Sequence, residues 1–291
     1  MEICEGYVDF GEYKTYYRIV GAEYEKTPLL MLHGGPGAGH FGFEALDSMA
    51  EYDRRPLIMY DQIGCGYSSP AKDRSEYTSS LWIEEIVNLR NKLNLNKIHL
   101  MGHSWGGMLS LLYLLEKKPA GVESVTLSST LSSSSLWEQE SKRLIKYLSD
   151  ADQKAINEGL ETGDYDSLEF NRAVSAYYQK YVRDENNRPK TSFPTDGHEA
   201  YIEAWGPCEF VPLGNLKDYD VTSRLNEIVA PTLIISGTDD ESTPFINKTM
   251  YDGLRCYKRW ILLEGARHVT YLDCYDEYVK GLTEFLDGCD R

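Results

Sequence analysis

Short, nearly continuous apolar runs recur along the chain. They stand at 29–32, 57–60, 98–101, 122–127 and 232–235, and a further run covers 260–263. Strands that are buried on both faces of a parallel sheet have this pattern, whereas strands with one solvated face alternate between apolar and polar residues. The runs therefore predict the parallel strands of a central sheet.

The segments around these runs have two other patterns. Residues 7–10 and 13–20 alternate about Gly11-Glu12, which predicts a β-hairpin at the start of the chain. Residues 81–93 place Trp82, Ile86 and Leu89 on one helical face, and 108–115 is almost wholly apolar. Strands that alternate with helices predict an α/β fold with a mostly parallel, doubly wound sheet.

The strand pattern disappears between residues 131 and 225. Apolar positions there follow helical spacing, as at Trp137, Leu144 and Leu148, and the strand pattern resumes at 230–232. An independent second domain is the weaker interpretation because the core pattern returns afterwards. We expect a helical cap at 131–225, inserted between two parts of one core, 1–130 and 226–291.

Composition narrows the function classes. The 291 residues carry a formal charge of −16, which disfavours a nucleic-acid surface because such surfaces need clustered Lys and Arg. The six cysteines form no C-x-x-C pair and are predicted to be free thiols. The sequence predicts a cytoplasmic protein without membrane contact, because we find neither a secretory signal nor a membrane-length apolar run. Its oligomeric state stays open.

The clearest chemical signal is Gly102-His103-Ser104-Trp105-Gly106, a G-x-S-x-G sequence. It lies where the apolar run 98–101 must turn into the helical pattern that follows. On such an elbow, small flanking residues let the strand and the helix pack closely while the serine is held in a strained, exposed position. The alternative is a structural Gly-rich turn, which the strand before it and the helix after it disfavour. Ser104 is the predicted nucleophile.

A nucleophilic serine needs a base, and the base needs an acid that fixes its tautomer. On this kind of fold the chain order is serine, acid, histidine. His268 is the histidine that follows the cap region, so it is the predicted base. The acid is expected after the run 232–235, where Asp239 and Asp240 both fit and spacing does not choose between them.

The tetrahedral oxyanion requires two preorganised backbone donors. The residue after the nucleophile, Trp105, is expected to supply one amide. The loop His33-Gly34-Gly35-Pro36-Gly37 follows an early strand, and its Gly35 is the predicted second donor.

Five motifs together resemble those of the proline iminopeptidase family, serine peptidases with the α/β-hydrolase fold. They are HGGPG at 33–37, DQIGCGYS at 61–68, GHSWGG at 102–107, G-x-x-D at 237–240 and G-x-x-H at 265–268. The resemblance implies an α/β-hydrolase fold and selects Asp240 as the acid of the triad. No metal or organic cofactor is implied.

The resemblance also implies a substrate. Members of this family release an N-terminal residue, preferably proline, from small peptides, and hold the free amine with glutamates, positions that here fall on Glu209 and Glu241. Paired carboxylates suit an ammonium group that enters a partly desolvated pocket. The cap aromatics Tyr201, Trp205 and Phe210 could line a proline-sized pocket or could only pack.

Two other functions are compatible with the same residues. An amidase or esterase acting on aminoacyl amides or esters would use identical machinery. A non-catalytic, ligand-binding relative would keep the fold without a working triad, and would not be labelled by a fluorophosphonate at Ser104.

Overall fold

The computed structural model describes residues 1–184 and 194–290 and contains a large central sheet. Its eight strands are β1 (Ile3–Phe10), β2 (Tyr13–Val20), β3 (Leu29–Leu32), β4 (Leu57–Tyr60), β6 (Ile98–His103), β7 (Val122–Ser128), β9 (Thr232–Gly237) and β10 (Lys258–Leu263). The short strands β5 (Cys65–Gly66) and β8 (Thr195–Asp196) pair separately. Every strand predicted from an apolar run, and the amino-terminal hairpin, is confirmed.

The sheet order is β1-β2-β4-β3-β6-β7-β9-β10. The hairpin β1/β2 pairs antiparallel with β4, and the remaining neighbours pair in parallel. Strands β3, β4, β6 and β9 are buried along their whole length, which is why their sequences lack alternation. Each fully buried large aliphatic side chain contributes about 1.5–3 kcal/mol.

Helices connect these strands and cover both faces. They are α1 (Asp47–Asp53), α2 (Ser79–Lys92), α3 (Trp105–Lys117), α4 (Ser134–Ile145), α5 (Asp150–Thr162), α6 (Leu168–Tyr181), α7 (His198–Ala204), α8 (Pro244–Gly253), α9 (Thr270–Asp273) and α10 (Tyr275–Cys289). Two apolar clusters lie against opposite faces of the sheet, one including α2 and α3 and the other including α1 and α10. The predicted helices at 81–93 and 108–115 correspond to α2 and α3.

The region between β7 and β9 is mostly helical and has an apolar cluster of its own, centred on Ile156, Phe170, Tyr177 and Phe210. The expectation that strands are absent from this region is wrong in one detail, because Thr195–Asp196 pairs with Cys65–Gly66. A two-residue strand has too little pattern to be visible in a sequence. Residues 185–193 of the predicted cap, and residue 291, lie outside the described residues.

Two further expectations concern chemistry and location. Among the described residues, no cysteine forms a disulfide, in agreement with the prediction. Within the ranges that the structure describes, no helix has both the length and the apolar composition needed to cross a membrane.

Candidate active site

Ser104 lies between the end of β6 and the first residue of α3, in a strained backbone conformation. Its φ and ψ are 54° and −122°, a region that residues with a side chain rarely adopt. Its amide donates to Ser128 O at 2.9 Å, and Thr130 Oγ1 donates to its carbonyl at 2.6 Å. These bonds from β7 and the residues after it hold the turn in place.

The glycines beside Ser104 are required by close packing. A Cβ at Gly102 would lie 2.1 Å from Gly106 O, and a Cβ at Gly106 would lie 2.0 Å from Leu32 O. Larger residues at either position would therefore push α3 away from the strands β3 and β6.

His268 and Asp240 form a buried pair on the loops that follow β10 and β9. His268 Nδ1 donates to Asp240 Oδ1 at 2.8 Å, which leaves Nε2 as the free ring nitrogen when the imidazole is neutral. Backbone amides of Ser242 and Gly237 also donate to the Asp240 carboxylate, at 2.7 and 3.4 Å. Asp239, the alternative acid, is exposed, and its Oδ1 accepts from Thr238 Oγ1 at 3.5 Å.

His268 and Ser104 approach the same space from different loops. The His268 ring lies 4.9 Å from the ring of His103, the residue before Ser104, and 5.9 Å from the ring of Trp137. Among the described residues, the Ser104 hydroxyl makes no hydrogen bond to His268. Such bonds are often long in proteins without bound substrate and shorten in the substrate complex.

His103 is the other histidine near Ser104, and its environment does not suit a base. It is buried, and its Nδ1 has no hydrogen-bond partner among the described residues. Burial, together with the neighbouring His268, holds the pKa of His103 well below its ordinary value of 6.5.

The two predicted oxyanion donors lie at the same cavity as Ser104. The Trp105 amide begins α3, where a backbone N–H has no partner within the helix. Gly35 lies in the loop after β3 and has a φ of 107°, which favours glycine. A Cβ at the adjacent Gly34 would lie 3.1 Å from Ser104 Cβ, so this loop runs directly against the serine.

A narrow cavity opens onto Ser104. It is lined by Gly35, Ser104, Trp105, Met108, Leu131, Trp137, Trp205 and Glu209. Its open volume of about 10 Å³ is close to the minimum that holds one water molecule. Three of the lining residues, Trp137, Trp205 and Glu209, come from the region between β7 and β9.

A second cavity, of about 290 Å³, borders the Asp240 loop. Its lining includes Arg143, Lys180, Asp239 and Asp240, but no serine or cysteine. The narrower cavity is the one that Ser104 lines.

The predicted glutamates are both at the site. Glu209 lines the cavity beside Ser104, and Glu241 Oε1 lies 3.8 Å from His268 Nε2. Glu241 is 3% exposed, and its Oε2 has no hydrogen-bond partner in the described ranges. Burial, followed by the negative charges of Glu209 and Asp240, raises the pKa of Glu241 well above its ordinary value.

Hydroxyl and indole groups fix the position of Glu209. Tyr201 donates to Glu209 Oε2 at 2.6 Å, and Tyr178 donates to the same oxygen at 3.4 Å. The indoles of Trp137 and Trp205 both donate to the Glu209 carbonyl, at 3.1 and 3.3 Å. Burial raises the pKa of Glu209, although the hydrogen bond from Tyr201 acts in the opposite direction.

The three cap aromatics have three different roles. Trp205 lines the cavity, Tyr201 binds the carboxylate of Glu209, and Phe210 is buried in the apolar cluster of the cap. Sequence reasoning missed Trp137 and Tyr178, because each lies on a helical face where an aromatic side chain ordinarily indicates packing.

Three neighbouring side chains are of the kinds that bind metal ions. His33, Asp61 and Cys65 are buried, with ligand atoms within 4.8 Å of one another. The Asp61 carboxylate already accepts from His40 and from the Tyr67 amide, and His33 Nε2 accepts from the Gln62 amide. These bonds use the lone pairs that a metal would need. The sequence did not indicate this grouping, because His33 lies about 30 residues before the segment that holds Asp61 and Cys65.

Comparison with known proteins places the chain in a family. The profile of the alpha/beta hydrolase fold matches residues 27–274. The chain is 48% identical to a proline iminopeptidase of Clostridioides difficile and 47% identical to one of Lactobacillus crispatus, with complete coverage of both chains in each case. The chain belongs to the proline iminopeptidase family. The predicted resemblance and the predicted α/β-hydrolase fold are both confirmed.

Solved structures agree with this assignment. The structure of the protein VinJ is similar with a TM-score of 0.91 and 30% identity, covering 98% of this chain and 99% of VinJ. A proline iminopeptidase of Mycobacterium smegmatis is similar with a TM-score of 0.87 and 27% identity, covering 99% of each chain. Both similarities therefore include the region between β7 and β9.

Proposed function

We propose that this protein is a serine exopeptidase that releases an N-terminal residue, preferably proline, from small peptides. The observation that carries the proposal is the pair of acidic side chains, Glu209 and Glu241, beside a serine on a nucleophile elbow. Membership of the proline iminopeptidase family supports the preference for proline.

The proposed reaction is acyl transfer through Ser104. His268 removes the hydroxyl proton of Ser104 as its oxygen attacks the carbonyl of residue one, and Asp240 stabilises the imidazolium that forms. The oxyanion accepts from the amides of Gly35 and Trp105. The imidazolium then gives its proton to the leaving amine, and a water activated by His268 releases the acyl group.

The two glutamates explain cleavage at the first residue. A protonated amine that enters a buried site must be paired, because an unpaired buried charge costs several kcal/mol. Two carboxylates with raised pKa values gain such a partner when the ammonium binds between them. Because Glu209 lies at the same cavity as Ser104, an amine held there puts the first carbonyl within reach of the serine.

A substrate panel tests the proposal. Turnover of proline p-nitroanilide is compared with that of other aminoacyl arylamides, N-acetylproline p-nitroanilide and simple acyl esters. We expect the proline arylamide to have the highest kcat/KM and the N-acetyl compound to be turned over poorly. Faster turnover of esters that lack an amine would contradict the peptidase assignment and support an esterase.

Two further measurements test the alternative functions, an amidase or esterase and a non-catalytic relative. Aminoacyl amides and esters that outcompete dipeptides would support an amidase or esterase with the same amine site. Failure of a fluorophosphonate to label Ser104 would support a non-catalytic relative. Cytoplasmic location and the absence of a cofactor or metal stay predictions of the sequence.

A further inference from the structure

We propose that Gln62 is a positioning residue that fixes the two halves of the oxyanion hole relative to each other. The inference rests on the proposed function only in assigning the oxyanion to the amides of Gly35 and Trp105. These amides belong to separate segments, the loop after β3 and the start of α3, and Gln62 is bonded to both segments.

The hydrogen bonds of Gln62 make this connection. Its Oε1 accepts from the indole Nε1 of Trp105 at 2.8 Å, and its Nε2 donates to His33 O at 3.3 Å. Its backbone amide donates to His33 Nε2 at 3.1 Å. His33 is two residues before Gly35. Gln62 therefore contacts the Trp105 segment through its side-chain oxygen, Oε1, and the Gly35 segment through its side-chain and backbone N–H groups.

The protonation of His33 fits this arrangement. Burial lowers the pKa of His33 to about 4, so the ring is neutral at physiological pH. Because Nε2 accepts from the Gln62 amide, the ring proton is on Nδ1, which donates to Gly34 O at 2.9 Å. Gln62 thereby selects the tautomer of His33 that bonds to the residue before Gly35.

Gln62 is itself held from the opposite side. The amide of the next residue, Ile63, donates to both oxygens of Glu85 at 3.1 Å, and its carbonyl accepts from Trp82 Nε1 at 3.0 Å. Trp82 also packs edge-on against Trp105, with ring centroids 5.2 Å apart. The position of Gln62 is therefore set by α2.

Loss of the Gln62 side chain has a defined consequence. Gln62 is 1% exposed, so its removal leaves the Trp105 indole N–H and the His33 carbonyl buried without a partner. Both segments then shift to recover hydrogen bonds, and their amides move away from the position that the oxyanion occupies. Because the oxyanion exists only in the transition state and intermediate, the loss falls on kcat and leaves substrate binding nearly unchanged.

The test compares three variants with a matched control. Gln62→Leu removes all side-chain hydrogen bonds, and Gln62→Glu keeps an acceptor for Trp105 but loses the donor to His33. Trp105→Phe keeps the backbone amide and removes the indole N–H together with one ring of the buried indole. Gln139→Leu, at an exposed position of α4, is the control for a Gln-to-Leu change. Kinetic constants on proline p-nitroanilide and the rate of fluorophosphonate labelling of Ser104 are measured for each.

We expect Gln62→Leu to lower kcat by about 10- to 100-fold, part of the loss caused by deleting an oxyanion donor. KM should stay within about 2-fold, and Gln139→Leu should match the parent enzyme. The kcat of Gln62→Glu should lie between that of Gln62→Leu and that of the parent enzyme. The double variant Gln62→Leu/Trp105→Phe should lose less than the sum of the single losses, because both changes break the same contact.

Unchanged kcat in Gln62→Leu, a loss confined to KM, or additive losses in the double variant would overturn the proposal. If Gln62→Leu fails to fold, judged by circular dichroism, Trp105→Phe and Gln62→Glu decide the matter by the same kinetic criteria. If the parent enzyme does not turn over the proline arylamide, the proposed function fails. The labelling rate still tests Gln62 in that case, because the phosphonyl oxygen also occupies the oxyanion hole.

Discussion

His268 Nδ1 lies 2.8 Å from Asp240 Oδ1, whereas the carboxylate of the adjacent Asp239 is exposed. Two consecutive residues are thus a buried acid, held by two backbone amides, and a solvated one. This contrast supplies an internally controlled test of the acid.

Asp240→Asn should lower kcat by about 10³- to 10⁴-fold, because an amide at this position no longer holds the required tautomer of His268. Asp239→Asn should leave kcat within about 2-fold, since an exposed loop carboxylate contributes little. Both are measured on proline p-nitroanilide. Equal losses in the two variants would contradict the assignment of Asp240.

Ser104→Ala should reduce turnover by about 10⁴-fold or more while the protein stays folded. The exposed Ser135 provides a control, because Ser135→Ala should retain full activity. Thermal unfolding and fluorophosphonate labelling are measured beside the kinetics. Substantial activity in Ser104→Ala would show that another group is the nucleophile.

Glu241→Gln should weaken substrates that carry a free amine, because it removes one of the two charges that pair with the ammonium. We expect KM for proline p-nitroanilide to rise by about 10-fold or more, the scale of a buried charged contact. An N-blocked ester that the enzyme turns over serves as the comparison. An equal loss on that ester would instead indicate a general role for Glu241, such as support of His268.

Binding of an amine should depend on pH through the same carboxyls. The pKa of Glu241 is raised above its ordinary value of 4.5 by burial and by Glu209, so the pair takes up a proton at a higher pH than solvated glutamates do. The inhibition constant of pyrrolidine, which stays protonated throughout, should therefore increase as the pH falls, with a midpoint above 4.5. The dependence should disappear in the double variant Glu209→Gln/Glu241→Gln, and its persistence there would assign the titration to another group.

Glu85 should make stability fall as the pH rises. Burial raises its pKa to about 8, against 4.5 for an ordinary glutamate, so the folded state keeps a proton that the unfolded chain releases. The free energy of unfolding therefore decreases as the pH rises from 4.5 to about 8, and Glu85 adds no pH dependence outside that range. Tm is measured at pH 5 and at pH 9 for the parent protein and for Glu85→Gln. Between these pH values, the Tm of the parent should fall by at least about 3 °C more than that of the variant, the shift that roughly 1 kcal/mol produces.

The neighbouring exposed Glu84 is the matched control for this measurement. Glu84→Gln should follow the parent protein at both pH values. If Glu85→Gln has the same pH dependence as the parent, the buried carboxyl does not retain its proton in the folded state.

Much of the fold was predictable because its signals are local. Continuous apolar runs marked the buried parallel strands, and glycines around Ser104 marked the turn from β6 into α3. Both signals follow from backbone sterics and from burial on two faces, which act over a few residues. The exceptions are Cys65–Gly66 and Thr195–Asp196, two-residue strands that pair with each other and are too short to have a pattern of their own.

The site was only partly predictable, because its contacts join residues that are distant along the chain. Motif positions led to Ser104, Asp240 and His268, yet spacing alone left Asp239 and Asp240 equivalent. Burial on the folded loop distinguishes the two carboxyls, and burial depends on what packs over them.

The amino-acid sequence by itself determined the order of the chemical motifs along the chain and the strained turn that presents the serine. Neighbouring residues suffice to specify both. Only the tertiary structure decided which tyrosines hold Glu209 and that Gln62 bonds to Trp105, 43 residues away. A hydrogen bond between distant segments leaves no periodic trace in either one, because its geometry exists only after the sheet and the cap have packed.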